Sequence, residues 1–138
     1  MLQLFYAGVL ADSVRRYSEA GILEAVEEKK KQEQKMAARG QLAQLQITVP
    51  AEIFRLYSGV FGCISWEIEE TQEKVTAIGH SCLLCAIAKK MDLPKPCNIY
   101  CINPVRAQVE ALEGGYRLEV ASTLWESNKC EFNVISNQ

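Results

Sequence analysis

The spacing of apolar residues switches between two periods, and this alternation limits the possible folds more than any single motif does. Leu2, Phe5, Tyr6, Val9, Leu10 and Tyr17 recur at three- and four-residue steps, which is one face of an amphipathic helix. Gly21 ends or bends it. A second helix is predicted from Ile22 to Arg39, with charges that include the favourable Glu27–Lys31 pair, and Gly40 closes it. Its mixed-sign charges read as a solvated face rather than a nucleic-acid or membrane patch. Pro50 suits the first turn of a short third helix carrying Ile53, Phe54, Leu56 and Tyr57.

After Gly59 and Gly62 the period falls to two. Ile64, Trp66 and Ile68 alternate with Cys63, Ser65 and Glu67, a half-buried strand that returns through Val75 to Ile78 after a polar loop from Glu69 to Lys74. Ser81 then caps a helix from Cys82 to Met91, which Pro94 and Pro96 prevent from continuing. Asn103 caps another, with Pro104 at its first position, a buried stripe of Val105, Val109 and Leu112, and a stop at Gly114-Gly115. The period returns to two in Tyr116, Leu118, Val120 and Leu124, and again in Cys130, Phe132 and Val134, with Glu126 to Lys129 as the turn.

The element order is therefore α-α-α-β-β-α-α-β-β. It predicts an α+β fold in which two hairpins form an antiparallel sheet of about four strands, with helices packed on one side. One domain over residues 1–138 is expected, with a helical part to about residue 58 and an α+β part from about 59. Fifteen Lys and Arg against 17 Asp and Glu give a net charge of −2, which argues against nucleic acid as a partner. The most apolar stretch, Cys82 to Ala88, is too short to cross a membrane, and no basic leader precedes Leu2-Gln3-Leu4-Phe5. A cytoplasmic location is expected, with the six cysteines as thiols or metal ligands.

The chemistry concentrates in one window. Cys82, Cys85, Cys97 and Cys101 follow the only histidine, His80, with spacing Cys-x2-Cys-x11-Cys-x3-Cys. Four thiolates in this order are a candidate metal set for zinc or an iron centre, because soft sulfur binds those ions strongly. Thiol chemistry is the alternative. A cysteine in the first turn of a helix feels the N-terminal dipole, which favours its thiolate, and Cys82 fits that position with His80 nearby as a base. Cys63, Cys85 and Cys130 can instead fill core positions as small hydrophobes. Tyr100, between Cys97 and Cys101, is a candidate for lining a ligand site, whereas Trp66 and Trp125 suit sheet packing.

Three segments also carry a family resemblance. They are Gly79-His80-Ser81-Cys82-Leu83-Leu84-Cys85-Ala86-Ile87-Ala88-Lys89-Lys90, then Pro96-Cys97-Asn98-Ile99-Tyr100-Cys101-Ile102-Asn103-Pro104, then Thr123-Leu124-Trp125-Glu126 with Cys130-Glu131-Phe132. Together they resemble the L-2-amino-thiazoline-4-carboxylic acid hydrolase family over about residues 60–135. Asn103 stands where that family often has aspartate, and Ser127-Asn128 replaces its glycine-acid turn. The element order is also similar to the vinyl-reductase-type small-molecule-binding domain, and that likeness implies a pocket between sheet and helices.

Two functions follow from the resemblance. In a hydrolase acting on cyclic amidines or other C–N bonds, Cys82 or Cys101 would be the nucleophile or hold a metal, and His80 would move the proton. In a non-catalytic sensor or regulatory domain, the pocket would hold a small ligand or the cysteines a metal. Either is compatible with a homo-oligomer, since the stripe of Leu2, Phe5, Tyr6, Val9 and Leu10 is hard to cover in a small monomer.

Overall fold

The computed structural model describes residues 1–137. Helices α1 (Leu2–Glu19), α2 (Leu23–Leu45) and α3 (Pro50–Leu56) lead into the hairpin β1 (Glu67–Glu70) and β2 (Lys74–Gly79). Helices α4 (Leu83–Lys90) and α5 (Asn103–Ala111) separate it from the second hairpin, β3 (Tyr116–Ser122) and β4 (Cys130–Ser136). The fold is α+β, and the strand order β1-β2-β4-β3 joins the two hairpins through the antiparallel pair β2–β4.

Register decides which face is apolar. Ala77 lies opposite Phe132 and Val75 opposite Val134, while Leu118 and Val120 oppose Val134 and Phe132 from β3. These residues share a core with Ile53 and Phe54 of α3 and Val105 and Val109 of α5. The other face is polar, with Thr76 Oγ1 donating to Asn133 Oδ1 at 2.7 Å. At the centre, Phe54 meets Trp66 edge-on at 5.3 Å and Phe132 at 6.4 Å, and Trp66 lies 4.9 Å from Phe132 between ring centroids.

Several boundaries differ from the sequence expectation. Gly40 does not close α2, which runs on to Leu45. Ala38 and Leu42 bury their side chains on either side of that glycine, and such packing outweighs the roughly 1 kcal/mol that a helical glycine costs. The helix ends instead at left-handed Gln46 (φ 58°), where Ile47 N–H reaches Leu42 O at 2.9 Å and Gln46 N–H reaches Ala43 O. In α1 the buried stripe is Ala7, Ala11 and Val14, while the larger Leu2, Phe5 and Val9 stay exposed. Small residues let α1 approach α4 closely, with Ala7 and Ala11 against Leu84.

The first strand is shorter than its apolar alternation. β1 begins at Glu67, and Ile64 makes only an isolated bridge to Cys82, although Ile64 and Trp66 remain buried. A Cβ on Gly79 would lie 2.2 Å from Ile64 Cδ1, so this glycine is what lets Ile64 cross the end of β2. Cys82, not Ser81, caps α4, and its sulfur accepts from Cys85 N–H at 3.5 Å. Asn103 does not cap α5, because its backbone is already helical (φ −64°, ψ −44°). The chain enters α5 through a widened π turn at Asn98–Ile102, which accommodates the missing N–H of Pro104. A second π turn, Tyr57–Phe61, extends α3 and stops at Gly62 (φ 66°).

Candidate functional site

The helical layer is not solid. α1, α2 and the two π turns line a pocket of about 520 Å³, the size of small-molecule sites in general. Helical spacing decides what faces it. Tyr6, Leu10, Ser13 and Tyr17 come from α1 at steps of four and three, and Lys30 and Gln34 come from α2 one turn apart. The π turns supply Tyr57, Phe61, Tyr100 and Cys101, and the crossing segment supplies Cys63, Ile64 and Trp66. Cys82 and Leu84 complete the wall beside α4. Tyr6 stacks on Phe61 at 5.5 Å, and Phe61 packs on Tyr57 at 5.2 Å. Ser13 Oγ donates to Leu10 O at 2.7 Å, so the hydrogen bond between Ser13 and Tyr100 has the tyrosine as donor.

A smaller cavity of about 30 Å³ lies behind that wall, lined by Cys82, Cys85, Cys97, Cys101 and Cys130 with Ile64, Leu124 and Phe132. Cys82, Cys101, Ile64 and Leu84 belong to both spaces and form the partition between them. The two proline-separated segments do therefore bring their sulfurs together. Cys130, outside the sequence motif, joins them because the Gly79–Cys130 register places it at the same end of the sheet.

Burial sets the chemistry of these thiols. It pushes Cys97 up to about 12 and Cys130 up to about 11, and it holds Cys101 well above its ordinary value. Cys82 is the thiol for which the helix N-terminus predicted a thiolate. Desolvation raises it nonetheless, and the opposing N–H groups of Cys85 and Leu84 do not reverse the shift. Cys63 and Cys85 also rise through burial. The wall is neutral at pH 7.

His80 is not part of it. It sits in the turn after β2 with its side chain 62% exposed and Nε2 3.5 Å from Glu67 Oε2, and it lines neither cavity. The expected trio His80, Cys82 and Cys101 therefore separates into an exposed imidazole and two half-buried thiols on the pocket wall. Tyr100 does line the pocket. Among the described residues, Cys82, Cys85, Cys97 and Cys101 included, no three Cys, His, Asp or Glu side chains form a group that could hold a metal ion. Sequence reading missed Ser13, Tyr17, Lys30 and Gln34. The available signal was their spacing, since each pair lies four residues apart on one helix, although the charges around Lys30 and Gln34 suggested solvent.

No known family and no curated protein matches the sequence. Among solved structures, the chain is similar to trafficking protein particle complex subunit 3 from Naegleria fowleri, solved covalently bound to palmitic acid, with a TM-score of 0.59. The likeness is one of fold. Identity is 13%, and the match covers 99% of this chain and 95% of the other. Among the described residues no helix is long and apolar enough to cross a membrane.

Proposed function

We propose that the protein is a binding domain for a small apolar ligand, held without turnover in the 520 Å³ pocket between α1, α2 and the π turns. The observation that carries this reading is the pocket's lining. Aromatic rings, aliphatic side chains and neutral thiols dominate it, and an apolar ligand entering such a space gains by leaving water. The acyl chain on the Naegleria protein supports a chain-like ligand for this fold. Ring hydrolysis of the amino-thiazoline type needs an activated nucleophile and a proton carrier. Here burial keeps Cys82 and Cys101 protonated and His80 faces Glu67, which favours holding over cutting.

Displacement of a fluorescent acyl probe tests the proposal. Leu10→Trp fills the pocket and is expected to weaken probe binding about tenfold or more, the effect of losing roughly 1.4 kcal/mol of contact. Turnover of 2-amino-thiazoline-4-carboxylate by the parent, lost in Cys82→Ala or Cys101→Ala, would overturn it in favour of the hydrolase.

We also propose that α1 pairs two copies of the chain. Leu2, Phe5 and Val9 are 78%, 67% and 65% exposed and follow one another at helical steps, an apolar stripe that this chain leaves uncovered. Light scattering at micromolar concentration is expected to give a dimer, and replacing the three residues by serine is expected to give a monomer. A monomeric parent protein would remove the proposal.

A further inference from the structure

The α2 wall of the pocket differs from the rest. Lys30 and Gln34 lie four residues apart, on one face of α2, and both reach the cavity. Lys30 is half-buried and has no ion-pair partner among the described residues, although α2 is rich in glutamate. Glu28 is held by Gln32 Nε2 at 2.8 Å, and Glu27, one turn before Lys30, does not line the pocket. Gln34 Oε1 is fully buried and has no hydrogen-bond donor. The nearby hydroxyl relay cannot supply one, because Tyr100 donates to Ser13 and Ser13 to Leu10 O.

A half-buried lysine without an ion-pair partner and a buried carbonyl without a donor, one turn apart on the same wall of an apolar pocket, ask for one molecule that supplies both. Resting on the reading of this space as a ligand site, we infer that the ligand is an amphiphile whose anionic head binds Lys30, whose adjacent N–H or O–H donor satisfies Gln34 Oε1, and whose apolar chain lies along the aromatic and thiol walls. A neutral ester would leave Lys30 unanswered. A simple carboxylate would answer Lys30 and leave Gln34 orphaned. An acyl chain joined through an amide to a carboxylate answers both, with its N–H placed beside its charge. Tyr6 and Tyr17, eleven residues apart on α1, both line the space, so it extends about 16 Å along that helix and has room for a chain beyond the head.

Competition titrations against a fluorescent acyl probe with methyl laurate, laurate and N-lauroylglycine test this on the parent protein, Lys30→Met and Gln34→Leu. The parent is expected to bind laurate about tenfold or more tighter than methyl laurate, the scale of one charge-assisted hydrogen bond, and N-lauroylglycine tighter still. Lys30→Met should abolish the preference for laurate over its ester, and Gln34→Leu the further preference for the amide. Methyl laurate should bind all three proteins alike, which shows that the variants are folded. Equal binding of laurate and methyl laurate by the parent, or an unchanged preference in Lys30→Met, overturns the head-group assignment and leaves the apolar pocket standing. Binding of none of the three overturns the pocket reading itself, and the head group with it.

Discussion

Phe54→Ala is expected to destabilise the protein by about 3–5 kcal/mol, the range for removing a fully buried aromatic ring. Phe54 is 0% exposed and stands where α3 meets the sheet, edge-on to both Trp66 and Phe132. Truncation removes the transfer free energy of the ring and both edge contacts, and it leaves a void. That void cannot close easily, because the neighbours are themselves fixed: Phe132 by the β2–β4 register and Trp66 by the Ser58 hydroxyl, which accepts its backbone N–H at 2.9 Å. Against a total stability of about 5–15 kcal/mol for a domain, such a loss removes a large fraction. Phe5→Ala is the control. Phe5 is also a helical phenylalanine but 67% exposed, and in the monomer its replacement is expected to stay within about 0.5 kcal/mol. Urea unfolding followed by Trp66 fluorescence measures both. A loss of under about 0.5 kcal/mol for Phe54→Ala would take this ring out of the core.

The contrast between these two phenylalanines shows what the sequence could and could not tell. Periodicity alone finds α1, but it cannot say which stripe is buried. Leu2, Phe5 and Val9 look like a core face, while the partner α4 accepts Ala7 and Ala11, where two backbones come close. The two hairpins and the α+β class were legible because alternation in Ile64 to Ile68, Val75 to Ile78, Leu118 to Val120 and Cys130 to Val134 is a local signal that the sheet satisfies directly. Their order in the sheet was not, since β2–β4 pairing joins residues more than fifty positions apart. Ser81 and Asn103 are good caps in isolation, but Cys82 is tied to Ile64 by a bridge and Asn103 is already inside a helical path. The gathering of Cys82, Cys85, Cys97 and Cys101 was visible in their spacing. The fate of His80 was not, because two residues of separation can cross from an enclosed wall to an exposed turn. Lys30 and Gln34 were hidden for a related reason. Charge on a helix predicts solvent, and only the packed structure shows that two of these side chains line a pocket instead.

Stability is expected to fall steeply above about pH 9, and the sulfur wall is the cause. An exposed thiol in the unfolded chain titrates near 9, whereas burial moves Cys130 up to about 11 and Cys97 up to about 12 in the folded protein. Between those limits the native state keeps protons that the unfolded state has already released. Fewer bound protons in the unfolded state mean that raising the pH favours unfolding. The contribution of these thiols is therefore fully present below about pH 9 and is lost as pH climbs through the folded values. One fully shifted thiol gives a slope of up to about 1.4 kcal/mol per pH unit, and several enclosed together add in the same direction. Tyr57, raised by burial, adds to the fall only above its ordinary value of 10.0, so the onset near 9 belongs to the cysteines. Urea midpoints at about pH 8 and about pH 10.5 measure the effect, and Cys130→Val is expected to flatten the slope while holding the core volume nearly constant. Midpoints that do not move over that interval would mean that the thiols are solvated or already ionised in the folded protein. In that case the partition between the two cavities would be polar, and Cys82 and Cys101 would return as candidate nucleophiles.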